Sequence, residues 1–127
     1  MGSRTWIRVF VQNWIEGTIR EESPEVRCCW IDLLALVGAG QHSDTGVLKL
    51  TSNVGYTDNQ IVDIFCVSED VWLYAKQRFI ETDRIEVLQG NVIIIKNWSK
   101  YQSEYSRQKP SRSKEKSLNS KEIDVRF

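Results

Sequence analysis

In "TDNQIVDIFCVSEDVWLYAKQRFIETDRIEVLQGNVIIIKNW", residues 57–98, the order of start and stop signals indicates two helices and a hairpin. Thr57 with Gln60 three residues later fits a capping box at the start of the first helix. Ser68 offers a new N-cap three residues after Phe65, so only the dipeptide "CV" separates the two helices. This spacing is typical of a helix-turn-helix.

The second helix of the pair, residues 69–81, should have one buried face and one open face. Helical periodicity places Trp72, Ala75 and Phe79 together on the buried side. The opposite side is polar and remains open to solvent or to a partner. It carries Asp70, Tyr74, Gln77, Arg78 and Glu81.

The hairpin follows from two β-rich runs on either side of Gly90 and Asn91. These two residues tolerate the positive φ that a two-residue hairpin turn demands. In the first helix of the pair, Ile61, Ile64 and Phe65 are expected to supply the buried side.

Residues 23–38, "SPEVRCCWIDLLALVG", form the clearest helix signal outside that stretch. Ser23 is a good N-cap, Pro24 suits the first helical position, and Gly38 is expected to end the helix in a left-handed conformation. Two apolar stripes predict burial on two sides. The first contains Val26, Cys29, Trp30, Leu33, Leu34 and Val37, and the second contains Cys28, Ile31 and Ala35.

The complete order of elements predicts a winged helix-turn-helix of the α+β class. Residues 4–22 suggest an extended segment followed by a short helix, and residues 46–50, "GVLKL", suggest a short strand. We expect the domain to cover residues 1–102, with its core ending near Trp98. Residues 103–127 contain few apolar side chains and predict a flexible basic tail.

The zero formal net charge of this 127-residue chain hides an asymmetry. Residues 1–98 contain nine Lys and Arg against thirteen Asp and Glu, a net charge of 9 − 13 = −4. Residues 99–127 contain eight against four, a net charge of 8 − 4 = +4. The net positive charge therefore lies in the residues that directly follow the last predicted strand.

The chain lacks an apolar run long enough to span a bilayer and lacks the apolar stretch of a signal peptide, so we expect a cytoplasmic protein without a membrane partner. Its three cysteines are an odd number, and two of them are adjacent. We interpret Cys28, Cys29 and Cys66 as small core hydrophobes.

Two groups of residues are candidates for DNA contact. In a helix-turn-helix the second helix enters the major groove, where Tyr74, Gln77 and Arg78 would face base edges. The alternative is that these are ordinary solvated residues, because acidic residues at the start of this helix would repel phosphate. The basic segment behind the hairpin is the second group, and each phosphate it neutralises would release counterions. Its proposed contacts are Lys96, Lys100, Arg107, Lys109 and Arg112.

A solubilising tail is the alternative for that basic segment. An enzymatic function has little support, because the chain contains one histidine, His42, and has neither a phosphate-binding loop nor a nucleophile elbow. The acids around Asp58 and Asp70 fit helix ends better than a nuclease site. We therefore expect neither a catalytic residue, nor a metal, nor a cofactor.

Three segments resemble the N-terminal domain of phage replisome organiser proteins, relatives of DnaD-type initiation proteins. They are "PEVRCCWIDLLALVG" (24–38), "GYTDNQIVDIF" (55–65) and "VIIIKNWSKYQSEYSRQK" (92–109). The most specific part is "NWSKYQ", which is similar to the Asn-Trp-x-Lys-Tyr-Gln signature that ends the domain's wing.

The resemblance covers roughly residues 5–109 and implies a winged helix module without chemistry of its own. It implies binding to DNA, or help in assembling the replication machinery at a phage origin, and a role in phage or prophage replication. As the DNA partner we expect duplex rather than single strand. Two alternatives remain open at this point. One is a module that self-associates or docks replication proteins, and the other is a DNA-binding transcription regulator.

Overall fold

Within residues 4–102, which the computed structural model describes, helices and a three-stranded sheet form the predicted winged helix-turn-helix of the α+β class. The predicted tail, 103–127, lies outside the described residues. In chain order the elements are α1 (Val11–Glu16), a 3-10 turn (Thr18–Glu21), α2 (Pro24–Ala39), β1 (Val47–Leu48), α3 (Asp58–Phe65), α4 (Glu69–Glu81), β2 (Ile85–Leu88), β3 (Val92–Ile95) and α5 (Trp98–Gln102).

All three predicted N-caps are confirmed. The Ser23 side chain accepts a hydrogen bond from the backbone N–H of Val26, and Ser68 caps α4 in the same way. Thr57 and Gln60 form both halves of the capping box. Because each cap satisfies a backbone donor that the helix leaves unpaired, short polar side chains determine where these helices begin.

The wing is an antiparallel sheet in the order β1-β3-β2. Its hairpin differs in one detail from the prediction, because Leu88 pairs with Val92 and a three-residue loop connects the strands. Gly90 and Asn91 do adopt positive φ, 81° and 61°. The prediction was therefore right about the positive φ and wrong about the loop length.

Gly38 does not end α2, contrary to the prediction. The helix continues to Ala39 and is followed by Gly40 in an extended conformation. Gly38 is buried, and a Cβ placed on it would lie 2.6 Å from Cγ2 of Ile7. Its carbonyl also accepts the backbone N–H of Arg4 at 2.8 Å. The glycine thus serves close approach of the N-terminal segment rather than a helix stop.

The expectation that α2 is buried on two sides was also wrong. Cys28 and Ala35 are exposed and Ile31 is only partly buried. α4 and β1 pack against the other stripe, and periodicity alone does not tell how many neighbours cover a helix. The buried residues of α2 are Val26, Cys29, Trp30, Leu33, Leu34, Val37 and Gly38.

Two further burial predictions need correction. Only Cys29 is a core cysteine, and burial raises the pKa of its thiol to about 12, whereas Cys28 and Cys66 are exposed. Ile61 and Phe65 are buried as expected, but Ile64 of α3 is 49% exposed.

The core extends past Trp98, where it was expected to end. Trp98 itself is buried against the fold, as predicted, and its indole Nε1 donates to the carbonyl of Ser43. Tyr101 and Gln102 are buried as well, with 7% and 2% exposure. α5 is therefore part of the packed domain, because its last residues hold the N-terminal segment.

Candidate nucleic-acid interface

The open face of α4 lies where the sequence predicts it. Trp72, Ala75 and Phe79 have no solvent exposure, and they fix the rotation of the helix on the core. Tyr74, with 59% exposure, and the exposed Gln77 then point away from the core. We call α3 and α4 with their exposed side chains the helix-turn-helix face.

Arg78 is held in an ion pair that the sequence did not suggest. Its Nη2 lies 2.7 Å from Oε2 of Glu22 and its Nε lies 2.9 Å from Oε1, so the contact is bidentate. Nη1 also lies 3.2 Å from Oε1 of Glu81. The hydrogen bond from Arg78 lowers the pKa of Glu22, and the same bond raises the pKa of Arg78. Base contact by Arg78 stays a prediction.

Glu22 belongs to a buried cluster that also contains Arg84. Arg84 is 2% exposed, and its guanidinium donates to the hydroxyls of Thr82 at 2.7 Å and of Thr18 at 2.9 Å. Its Nη1 lies 4.0 Å from Oε2 of Glu22. Sequence reasoning missed this cluster, because none of the four positions stands out in a local pattern.

A second network joins α3, α4 and the tip of the wing. Lys76 Nζ lies 3.1 Å from Oδ1 of Asp58 and 2.7 Å from Oδ1 of Asn91. The indole Nε1 of Trp72 donates to Asp58 at 2.9 Å, and the Asn91 amide donates to the carbonyl of Tyr56 at 2.7 Å. These contacts fix the hairpin tip against the helix pair.

The carboxylate at the centre of this network is held ionised. Burial alone raises the pKa of Asp58, but the hydrogen bonds from Trp72 and Lys76 outweigh burial and leave the pKa below its ordinary value of 3.8. The sequence indicated only a helix-terminal acid at this position. The partners are 14 to 33 residues away, so local spacing could not reveal them.

The net charge of the helix-turn-helix face is negative. Within residues 58–81 two cations accompany five acids, a net charge of 2 − 5 = −3. Both cations, Lys76 and Arg78, are bound to carboxylates of the fold. The Gln77 amide also points to an acid, 3.2 Å from Oε2 of Glu81. The acids are Asp58, Asp63, Glu69, Asp70 and Glu81.

The other proposed phosphate contacts have different surroundings. Lys96 follows β3 and its Nζ lies 2.9 Å from Oδ1 of Asp83 on the surface. Lys100 is exposed on α5. The predictions for Arg107, Lys109 and Arg112 lie outside the described residues.

A separate basic surface forms where the N-terminal segment meets α5. The Gln102 side chain accepts from the backbone N–H of Arg8 at 2.8 Å and donates to the Arg8 carbonyl at 2.9 Å. Guanidinium groups of Arg4 and Arg8 both donate to the Gln102 carbonyl. Trp6 and Phe10 remain exposed beside them. We call Arg4, Trp6, Arg8, Phe10 and Lys100 the basic aromatic edge.

These contacts give Tyr101 and Gln102 of the wing signature a structural role that sequence reasoning left open. Tyr101 packs edge-on against the ring of Phe10, with ring centroids 4.8 Å apart, and Gln102 pairs with the Arg8 backbone.

Within residues 4–102 the structure has no group of three or more His, Cys, Asp or Glu side chains that could hold a metal ion. None of the helices in this range is long and apolar enough to cross a membrane.

Comparison with known proteins identifies one family. A family model described as the N-terminal phage replisome organiser matches residues 6–123. The search of curated proteins and the search of solved structures returned no match. The matched range covers nearly the whole chain, including the wing and the basic segment behind it.

Proposed function

Because the chain belongs to the N-terminal phage replisome organiser family, we propose that it is a DNA-binding winged helix module acting in the initiation of phage DNA replication. In this proposal the domain binds duplex DNA and carries out no reaction of its own. α4 enters the major groove, and cations outside the helix-turn-helix face neutralise phosphates.

The observation that carries the proposal is the open face of α4. Tyr74 and Gln77 lie on the second helix of a helix-turn-helix, which is the element that reads base edges in proteins of this architecture. The glutamine amide can pair with an adenine edge, and the tyrosine ring can contact a thymine methyl group. The network of Asp58, Lys76 and Asn91 supports the proposal, because it holds the wing in a fixed position beside this helix.

Arg78 has a smaller share in this proposal than the sequence suggested. A guanidinium has five N–H donors, and the contacts with Glu22 and Glu81 use three of them. Unless the ion pair with Glu22 opens, only the remaining N–H donors of Arg78 are available to a guanine edge. We therefore assign base contact first to Tyr74 and Gln77.

Phosphate contacts are assigned to Lys96, Lys100 and the basic tail. The face around α4 is acidic, so affinity for the DNA backbone requires cations from elsewhere in the chain. Lys100 lies on the element that leads into the tail, and the tail cations are Arg107, Lys109 and Arg112.

Fluorescence anisotropy with a labelled duplex of random sequence tests the proposal across a salt series. We expect the full chain to bind and the affinity to fall steeply with salt. A variant with Arg107→Gln, Lys109→Gln and Arg112→Gln should bind every duplex more weakly and with a flatter salt dependence. If the wild-type chain does not bind duplex even at low salt, duplex DNA binding is excluded.

Base reading is tested separately, with Tyr74→Ala and a pool of duplex sequences. Selection with the wild-type domain should enrich a preferred sequence, and the variant should lose that preference while keeping its salt-dependent affinity. An unchanged preference in Tyr74→Ala would remove this residue from the proposed reading face.

A second function, self-association within a replication complex, is favoured by α1. Val11 and Ile15 lie one helical turn apart and are 74% and 57% exposed, so the short helix presents an apolar surface. Sedimentation velocity over a concentration series tests it. An oligomer that a Val11→Ser and Ile15→Ser variant loses would support this function, and a monomer at all concentrations would exclude it.

A further inference from the structure

The segment before α1 alternates cations with aromatic rings. Arg4, Trp6, Arg8 and Phe10 are separated by one residue each, and Arg4, Arg8 and Phe10 all contact α5. Trp6 is 57% exposed and Phe10 is 41% exposed. The Arg8 guanidinium carbon lies 5.2 Å from the centroid of the Trp6 ring. A large aromatic surface is therefore open to solvent beside positive charge.

This segment is anchored at several points along its length. The Arg8 backbone is hydrogen-bonded to the Gln102 side chain. In addition, the backbone N–H of Arg4 donates to the Gly38 carbonyl, and the ring of Phe10 packs edge-on against Tyr101. The Arg4 guanidinium also lies 5.9 Å from the centroid of the Trp98 ring. An anchored segment loses less conformational freedom when a ligand binds.

The segment and α5 themselves carry charge of one sign. Residues 4–15 and 98–102 contain neither Asp nor Glu. Lys100 is exposed on α5, and the chain from 99 to 127, with its net charge of +4, starts at the same place. An anionic ligand on the basic aromatic edge would thus meet Arg4, Arg8 and Lys100, without an acid of these two segments.

We propose that the basic aromatic edge binds single-stranded nucleic acid, with an unpaired base stacked on Trp6 and phosphates held by Arg4, Arg8 and Lys100. Proteins that bind single strands combine a positively charged track with aromatic rings on which bases stack. Bases in a duplex have no open face for such a ring, so this site requires an unpaired strand. The inference goes beyond duplex binding at α4 and does not depend on it.

The charge pattern favours nucleic acid over a protein ligand at this edge. Exposed apolar residues that bind protein are usually surrounded by a rim of mixed polar residues. Here the exposed Trp6 ring lies beside the Arg8 guanidinium, and the segment lacks acids. The aliphatic surface of α1, Val11 and Ile15, is the part of the N-terminal region that fits a protein ligand.

The test compares Trp6→Ala with Trp6→Phe in the full chain, using a labelled oligothymidylate strand and a labelled random duplex. We expect Trp6→Ala to bind the single strand roughly 5- to 150-fold more weakly, which corresponds to one lost stacking contact. Trp6→Phe should restore most of the affinity, because it retains an aromatic ring. Val54→Ala, an exposed aliphatic residue between β1 and α3, is the control and should bind as the wild type does.

Fluorescence gives a second measurement that a structural role for Trp6 would not affect. A stacked base quenches indole emission, so oligothymidylate should quench the wild-type chain more than Trp6→Phe. Circular dichroism of each variant checks that the fold is retained.

The duplex arm separates this inference from the proposed function. Unchanged duplex affinity in Trp6→Ala, together with weakened single-strand binding, supports a separate single-strand site. Three results would each overturn the single-strand inference. They are an equal loss of affinity for duplex and single strand in Trp6→Ala, an unchanged single-strand affinity in Trp6→Ala, and no single-strand binding by the wild type. Loss of self-association in Trp6→Ala without any effect on nucleic acid would reassign the edge to a protein interface. Single-strand binding by a chain that ignores duplex would leave this inference standing and exclude the proposed function.

Discussion

Within residues 58–81 of the helix-turn-helix face, two cations accompany five carboxylates, whereas at the basic aromatic edge three cations accompany none along residues 4–10 and 98–102. The cations also differ in what they bind. Lys76 and Arg78 are bound to acids of the fold, and Arg4 and Arg8 contact a main-chain carbonyl.

This difference shows that a winged helix-turn-helix can have an acidic helix-turn-helix face. The positive charges on α4 hold the wing and the N-terminal turn in place, so they are used for structure. Positive charge for a nucleic acid has to come from outside the helix-turn-helix face. The following predictions test this division, beginning with the largest expected effect.

Two tryptophan substitutions should distinguish the core beneath the basic aromatic edge from its exposed surface. Trp98→Ala removes a side chain with 3% exposure and should lower the free energy of unfolding by about 3–5 kcal/mol. Trp6→Ala removes an exposed ring and should cost less than about 1 kcal/mol. Urea unfolding measures both. Similar losses for the two variants would contradict the division of α5 and the N-terminal segment into core and open surface.

Lys76→Met should destabilise the wing by about 1–3 kcal/mol, because Asp58 and Asn91 each lose a hydrogen-bond partner in a partly buried site. Lys49→Met, which changes the residue directly after β1, is the matched control and should change stability little. Hydrogen exchange at the hairpin would show whether the loss is local. If both lysine variants are equally stable, the network does not hold the wing.

The pairing of Glu22 with Arg78 predicts a dependence of stability on pH. Since the pKa of Glu22 in the folded state lies below its ordinary value of 4.5, its contribution is fully present above 4.5 and is lost as the pH falls through the folded pKa. Glu22→Gln should therefore be less stable than the wild type near neutral pH, and the gap should close in acid. Unfolding curves at several pH values measure this.

The control for the pH experiment is Glu86→Gln, which changes an exposed carboxylate on β2. Its stability should follow that of the wild type across the same pH range. A gap between Glu22→Gln and the wild type that persists below the folded pKa would mean that the loss comes from packing and not from the ionised carboxylate.

The smallest effect is expected from Lys100→Ala. If Lys100 neutralises one phosphate, the slope of log affinity against log salt should become shallower by about 0.9 for a duplex and by about 0.7 for a single strand. Lys49→Ala serves as the control for charge removal elsewhere. Equal slopes for the wild type and Lys100→Ala would remove this residue from the interface.

Local sequence patterns predicted the framework well. The caps Ser23, Thr57 and Ser68 and the positive φ at Gly90 and Asn91 are confirmed, because each depends on residues within a few positions. The buried stripe of α4 is also confirmed, since a period of 3.6 residues identifies which side chains share a face.

The predictions that failed concern which residues pack against each element. Cys28 and Ala35 form an apolar stripe that is open to solvent, and Gly38 lies inside its helix, where Ile7 leaves no room for a Cβ. The core was expected to end near Trp98, yet Gln102 is buried through its pairing with Arg8. A sequence pattern does not contain the identity of a distant neighbour.

The sequence by itself determined where α2, α3 and α4 begin, which face of α4 is apolar, and that positive charge collects at the end of the chain. Only the tertiary structure decided which charges remain available. It joins Arg78 to Glu22 across 56 residues and Gln102 to Arg8 across 94 residues. The physical reason is range: capping and periodicity act within a few residues, while ion pairs and close packing depend on chain segments that only folding brings together.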